Sequence, residues 1–180
     1  MLIKIIKHLF LFLMICILQL AVIPNLPDKI NCLNIIIVVI VFILFFININ
    51  YAIIYSIAFG LFLDIYSPAW FGANLLALFF VVYVINFAFN HILTNKSFYT
   101  LLGLSFVATL VYNVVLLIYK LLYFVFFAES LNNLQKISFI WANNLFWQLI
   151  LNLCLVMIVF IIAHYFTRKF KTIFIDTTRT

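Results

Sequence analysis

Asp64 is the one acidic residue of this sequence that lies within a long apolar run. A carboxylate at the centre of a bilayer costs about 2.5 to 3.5 kcal/mol on insertion scales. At about 1.5 Å per helical residue, Asp64 lies roughly 20 Å along the helix axis from Tyr51, and so near the edge of a hydrocarbon core about 30 Å thick. Asp64 is therefore either a carboxylate at a helix end that contacts water, or a buried partner for an amide or another polar side chain.

The residues around Asp64 favour the buried partner. Ser56, Gly60 and Asp64 recur every four residues and share one helix face, where small side chains let two helices approach closely. Gly72 and Asn74 open the next apolar run, just after a turn that contains proline. Because carboxylates bind the free amides of a helix N-terminus, we expect Asp64 to cap that helix or to bond across to it. This pattern indicates a packing corner rather than a catalytic centre.

A second group of polar side chains lies in the last apolar run. Asn144, Gln148 and Asn152 recur every four residues, and Asn113 offers a further amide from the run before it. A polar stripe of this kind must face protein or water. We expect it to form hydrogen bonds between helices, each worth about 0.6 to 2 kcal/mol. The alternative is that the stripe lines a pathway or pocket for a solute.

The residue types that metal binding and catalysis use are present but scattered. The three cysteines have no metal-ligand spacing, and the three histidines stand far apart in the sequence. No nucleophile stands beside a base, and no glycine-rich loop could hold a phosphate. The sequence therefore predicts a protein that is not an enzyme and has neither a cofactor nor a metal site. The scattered residues are Cys16, Cys32, Cys154, His8, His91 and His164.

The elements that position these side chains are predicted to be transmembrane helices. The chain has 180 residues, of which 69% are hydrophobic and only 8% are charged, far from the mixture found in soluble domains. Because each span needs about 20 apolar residues, the predicted fold class is an all-α membrane protein, a polytopic bundle of about six transmembrane helices with short loops. We expect one integral membrane domain over residues 1–180. The net charge is +6, but no dense basic face suits a nucleic acid.

Apolar runs and the polar segments between them place the spans. Lys4 and Lys7 precede the first run as in a signal peptide, but no small-x-small cleavage site follows, so we expect a retained helix. The polar segment from Glu129 to Lys136 is expected to separate the last two spans. The predicted spans are Leu9 to Ile23, Leu33 to Ile47, Tyr51 to Ile65, Phe71 to Phe89, Tyr99 to Tyr119 with a continuation to Phe127, and Phe139 to Ile162.

The distribution of cations predicts the orientation in the membrane. With an even number of spans, both termini lie on one side. That side would hold seven of the ten lysines and arginines, including those of a basic tail at about 167–180, and the other side would hold Lys29, Lys120 and Lys136. The positive-inside rule then predicts that both termini are cytoplasmic.

The segment from Ala58 to Asn74, AFGLFLDIYSPAWFGAN, resembles the signature region of MreD, a family of bacterial rod shape-determining membrane proteins. That family shows a glycine, an Asp-Leu-like pair, a short turn and a glycine that opens the next helix. The length, the half-dozen hydrophobic spans, the short N-terminus and the basic tail agree along the whole chain. This sequence departs from the pattern at Ala69-Trp70-Phe71, where small residues are common in the family.

The resemblance implies structural roles for four residues, Gly60, Asp64, Gly72 and Asn74. It also implies a non-enzymatic scaffold in the bacterial inner membrane that helps to maintain rod shape. Such a protein binds MreC and links cytoplasmic MreB filaments to the peptidoglycan synthases of the elongation machinery. Besides these partners and the lipid bilayer, a homo-oligomer is possible. We hypothesise that the single membrane helix of MreC packs on this bundle.

A different class of function stays open. The substrate-binding membrane subunit of an energy-coupling-factor vitamin transporter has a similar length and a similar number of helices. In such a protein the stripe of Asn144, Gln148 and Asn152 would line the vitamin pocket. Against this alternative, the predicted external loops carry few polar groups, and a pocket needs several that converge.

Overall fold

The chain folds into six α-helices in the part that the computed structural model describes, which is residues 2–27, 29–67, 71–93, 95, 97–127 and 132–166. These ranges contain no strand, and the predicted all-α fold class is confirmed. The predicted basic tail at about 167–180 lies outside the described residues. The helices are α1 Leu2–Ile17, α2 Ile35–Phe46, α3 Ile49–Tyr66, α4 Ala73–His91, α5 Phe98–Phe127 and α6 Asn132–Phe166.

Four of these helices are long and apolar enough to cross a membrane, and the chain is in this respect a membrane protein. The first two apolar segments are shorter. Leu9–Asn25 combines most of α1 with the turns that follow it, and α2 has only 12 residues. The four long segments lie in α3 to α6 and are Ile49–Tyr66, Ala73–His91, Phe98–Leu122 and Trp141–Ile162.

The end of α1 is irregular. The helix continues into a π-helical turn, Leu18–Val22, and then into a 3-10 turn, Ile23–Asn25. Pro24 explains the change, because proline lacks an amide hydrogen and its ring clashes with the carbonyl four residues earlier. The wider turn places the Gln19 side chain against the start of α2, where its Oε1 accepts a hydrogen bond from the Ile35 amide at 2.9 Å.

The short helix α2 forms the centre of the bundle. It contacts each of the other five helices. Because apolar helices surround it, its own side chains need no polar face, and its sequence is an unbroken apolar run. Eight of its twelve residues are buried: Ile36, Ile37, Val38, Ile40, Val41, Ile43, Leu44 and Phe45.

The helices α5 and α6 form the longest pair. They run antiparallel, since Phe98 contacts Phe160 at one level and Asn113 bonds to Gln148 at another. α5 has 30 residues and is about 45 Å long, whereas α3, with 18 residues, is about 27 Å long. We call the end of the bundle that carries the connections 26–34 and 67–72 the distal end.

The membrane-spanning part of α6, Trp141–Ile162, agrees with the last span predicted from Phe139 to Ile162. The helix itself begins earlier, at Asn132, and includes the second half of the polar segment Glu129 to Lys136 that was expected to separate the last two spans. Leucine, glutamine and lysine have high helix propensity, so the residues after Asn132 extend the helix rather than interrupt it. The helix α5 continues to Phe127, as predicted, and its membrane-spanning part is Phe98–Leu122.

Candidate functional site

Asp64, in the last turn of α3, binds the first turn of α4. Its Oδ2 accepts hydrogen bonds from the amides of Gly72 at 3.0 Å and Leu75 at 3.1 Å. Its Oδ1 accepts hydrogen bonds from the backbone amide of Asn74 at 2.9 Å and from the Nδ2 of the same residue at 3.0 Å. Asp64 is only 4% exposed, so it is not a helix-end carboxylate in contact with water. It is the buried helix cap that the sequence favoured.

Two glycines allow this cap to form. A Cβ atom on Gly60 would lie 2.5 Å from the Cα of Leu75, so α3 and α4 touch along their backbones at this point. Gly72 precedes α4 with φ +96°, a left-handed conformation that residues with a side chain rarely adopt. Ser56 and Gly60 are both buried on the face of α3 that carries Asp64. The small-residue face predicted from the sequence therefore lies in the contact between helices.

The hydrogen bonds of Asp64 continue through Asn74 into the centre of the bundle. Asn74 Oδ1 accepts a hydrogen bond from the Tyr112 hydroxyl of α5 at 2.8 Å. Asn34, at the start of α2, lines the same cavity as Asn74 and Tyr112. Asn34 is the N-cap of α2, because its side chain accepts a hydrogen bond from the Ile37 amide. One set of hydrogen bonds thus joins α3, α4 and α5, with Asn34 of α2 beside it.

The amides of the last two helices form the other half of this set. Asn113 Nδ2 donates to Gln148 Oε1 at 2.8 Å, and Asn152 Nδ2 donates to Thr109 Oγ1 at 3.0 Å. Asn152 Oδ1 accepts a hydrogen bond from the backbone amide of Asn34 at 3.1 Å, so this half reaches the start of α2. We call the whole set the buried polar chain. Its members are Asn34, Asp64, Asn74, Thr109, Tyr112, Asn113, Gln148 and Asn152, each less than 10% exposed.

The predicted amide stripe is only partly present. Gln148 and Asn152 are buried, whereas Asn144 is exposed and takes no part in the buried polar chain. In its place, the Trp141 indole donates a hydrogen bond to the carbonyl of Asn113 at 3.3 Å. Four residues of an α-helix turn through about 400°, so each step along the stripe rotates it by about 40°, and Asn144 leaves the contact face.

Three members of the buried polar chain were not predicted. Asn34 precedes an apolar run, and an N-cap signal at that position could have identified it. Thr109 and Tyr112 stand within a long apolar run and carry no local signal. Their role follows only from the faces that α4 and α6 present to α5 in the folded bundle.

The geometry of this site suits the joining of helices. Both oxygens of Asp64 are engaged, by four hydrogen bonds in all. Among the described residues, no group of three His, Cys, Asp or Glu side chains could hold a metal ion. Cys16 is buried in the apolar core, and Cys154 is exposed on α6. What the buried polar chain does is cap helices and bond them to one another.

Comparisons with protein-family models, with curated proteins and with solved structures found no match to this chain. The resemblance to MreD therefore stays a prediction from the segment 58–74 and from the general plan of the chain.

Proposed function

We propose that this chain is a non-enzymatic membrane scaffold of the MreD type, which helps to maintain rod shape by binding MreC and linking MreB filaments to the peptidoglycan synthases of the elongation machinery. The observation that carries the proposal is the corner between α3 and α4. The four signature positions meet there: Asp64 caps α4, Gly60 brings the helices together, Gly72 forms the turn and Asn74 extends the cap. Signature residues that cap and pack helices, rather than bind a substrate, are what we expect of a scaffold.

The arrangement of polar and apolar side chains supports the same proposal. The buried polar chain satisfies its hydrogen bonds inside the bundle, while large apolar side chains cover much of the outside. Such a molecule meets other proteins in the membrane through helix-to-helix contacts. We therefore propose a bacterial inner-membrane location, with both termini in the cytoplasm.

The partner helix of MreC is proposed to pack on α6. Of the residues in the membrane-spanning part of α6, 17% are buried within the chain, a smaller share than in α3, α4 or α5. One face of α6 presents four large apolar side chains at helical spacing. These are Phe146, Ile150, Met157 and Ile161, which are 59%, 38%, 41% and 63% exposed.

Co-purification in mild detergent tests the proposal. The native chain is expected to retain MreC when both proteins are well expressed. Phe146→Ala on α6 should reduce the retained MreC several-fold, because it removes a large apolar contact from the proposed interface. Phe87→Ala is the matched control, since Phe87 is a similarly exposed phenylalanine, 55% against 59%, on α4. Failure of the native chain to retain MreC would overturn the proposal.

One observation favours the alternative, a solute-binding subunit of an energy-coupling-factor transporter. A cavity of about 250 Å³ lies at the distal end of the bundle and is lined in part by Asn34, Asn74 and Tyr112. The amides of the predicted stripe, Asn144, Gln148 and Asn152, are not among the described residues that line it. A vitamin that remains bound to the purified chain, together with transporter ATPases that co-purify, would favour this alternative over the scaffold.

A further inference from the structure

The cavity at the distal end lies where four helices begin or end. It is bounded by the irregular end of α1, the starts of α2 and α4, the end of α3 and the middle of α5. Its volume is about 250 Å³, well above what a single water molecule needs. The lining residues are Gln19, Leu20, Pro24, Asn34, Leu63, Tyr66, Ser67, Asn74 and Tyr112.

The polar side chains that line the cavity are held in place by contacts behind it. Asn34, Asn74 and Tyr112 are 7%, 9% and 6% exposed, and all three belong to the buried polar chain. Gln19 lies in the π-helical turn and is fixed by its bonds to the Ile35 amide and, at 3.3 Å, to the Leu33 carbonyl. Turns of this kind often occur at functional sites. The lining is therefore preorganised by elements that are distant in sequence.

The described side chains that line the cavity are uncharged. The starts of α2 and α4 both lie here, and free helix N-termini attract anions. Several of their amides are already bonded, however. Asp64 accepts from the first turn of α4, while Gln19 and Asn34 accept from Ile35 and Ile37 at the start of α2. Among the described residues, none that lines the cavity carries a formal charge. The nearest described carboxylate, Asp64, lies behind Asn74 with both oxygens bonded, so an ion would meet no charged partner among these side chains.

The lining still has hydrogen-bonding capacity. A primary amide offers two donor hydrogens and an oxygen with two lone pairs. Among the described contacts, Asn74 uses one side-chain donor on Asp64 and one lone pair on Tyr112. Gln19 likewise uses one donor on Leu33 and one lone pair on Ile35. Each of the two amides keeps one donor and one lone pair, next to the apolar surfaces of Leu20, Pro24 and Leu63.

We propose that this cavity binds a small uncharged molecule that both donates and accepts hydrogen bonds, such as a carboxamide or a polyol. The spare donor and acceptor of each amide match such a group, and the neutral lining favours it over an ion. The site is independent of the proposed MreC contact, which lies on the outer face of α6. It would therefore be a second function of the same bundle.

Equilibrium binding to the purified chain in detergent micelles tests this inference. The probes are two matched pairs, N-acetylglycinamide with N-acetylglycine and myo-inositol with inositol phosphate. At least one neutral probe is expected to saturate the protein with a dissociation constant at or below about 10 mM, and to bind at least about tenfold more tightly than its charged counterpart. Equal or tighter binding of the charged members would overturn the inference, as would the absence of saturable binding of both neutral probes.

Two substitutions locate the bound probe. Leu20→Trp fills the cavity and should weaken binding at least about tenfold. Leu13→Trp is its matched control, since Leu13 lies on α1 and is 43% exposed outside the cavity.

Tyr66→Ala gives a second test at the mouth of the cavity, where Tyr66 is 62% exposed and its loss leaves the core intact. Unchanged binding in both cavity variants would contradict the site. Because MreC retention should not change in Leu20→Trp, failure of this site and failure of the scaffold function are distinguishable.

Discussion

Asp64 occupies a position that would be costly for a carboxylate without partners. Two oxygen atoms receive four hydrogen bonds from the first turn of α4 and from Asn74, and the positive end of the α4 dipole lies next to them. The cost of burying the group is thereby offset by contacts that also fix the angle between α3 and α4. At the scale of single residues, the two glycines beside Asp64 have different physical roles, and each role gives a prediction.

Gly60→Ala is expected to destabilise the bundle, because the new Cβ would lie 2.5 Å from the backbone of Leu75 and α3 would have to move. We expect a loss of about 1 to 3 kcal/mol, typical of overpacking. Gly103→Ala is the matched control, since its Cβ would meet only the flexible end of Leu93 at 3.2 Å. Alanine also favours the helix by up to about 1 kcal/mol, so this control should be neutral or stabilising. Thermal unfolding in detergent compares the two, and equal midpoints would contradict the close contact.

Gly72→Ala is expected to destabilise the bundle through backbone strain alone. No atom lies within 4 Å of the position that a Cβ would take, but φ is +96°. The strain should cost about 1 to 2 kcal/mol. Gly72→Asn should recover part of this loss, because asparagine tolerates the left-handed region better than alanine does. Unfolding midpoints of the two variants measure the difference, and a variant Gly72→Ala as stable as the native chain would refute the argument.

At the scale of elements, the hydrogen bond between Asn113 and Gln148 couples α5 to α6. A double-mutant cycle with Asn113→Leu and Gln148→Leu is expected to give a coupling energy of about 0.6 to 1.7 kcal/mol, the range measured for such bonds in membranes. The control is Asn144→Leu, which changes an exposed amide and should shift stability by less than about 0.5 kcal/mol. Strictly additive effects of the two buried substitutions would show that the bond does not join the helices.

The apolar runs predicted the helices well, because hydrophobic length alone decides which segments can lie in a membrane. Helix ends were harder to predict. α6 starts at Asn132 because polar residues with good helix propensity prolong it. The Asp64 cap was predictable, since acid, glycine and amide lie within one short segment. The contacts of Tyr112 and Thr109 were not, because they depend on how distant helices rotate about their axes.

At the scale of the whole molecule, an interior polar chain and an apolar exterior make the bundle a component of the membrane. The proposed even number of crossings gives a testable topology. Fused after Thr180, a reporter enzyme that works only in the cytoplasm is expected to be active, and one that works only outside the cytoplasm is expected to be inactive. The reason is that seven of the ten cations lie on the cytoplasmic side of the predicted topology. Activity of an external reporter at the same position would contradict the orientation.

The central claim is that the buried polar groups hold the bundle together and that partner binding depends on the bundle rather than on Asp64 itself. It is tested most directly by Asp64→Ala, with the free energy of unfolding and the MreC retained per folded molecule measured on the same sample. Four donors would lose their acceptor, so we predict a loss of stability of at least about 2 kcal/mol and unchanged MreC retention per folded molecule. Unchanged stability together with lost MreC retention would contradict the account.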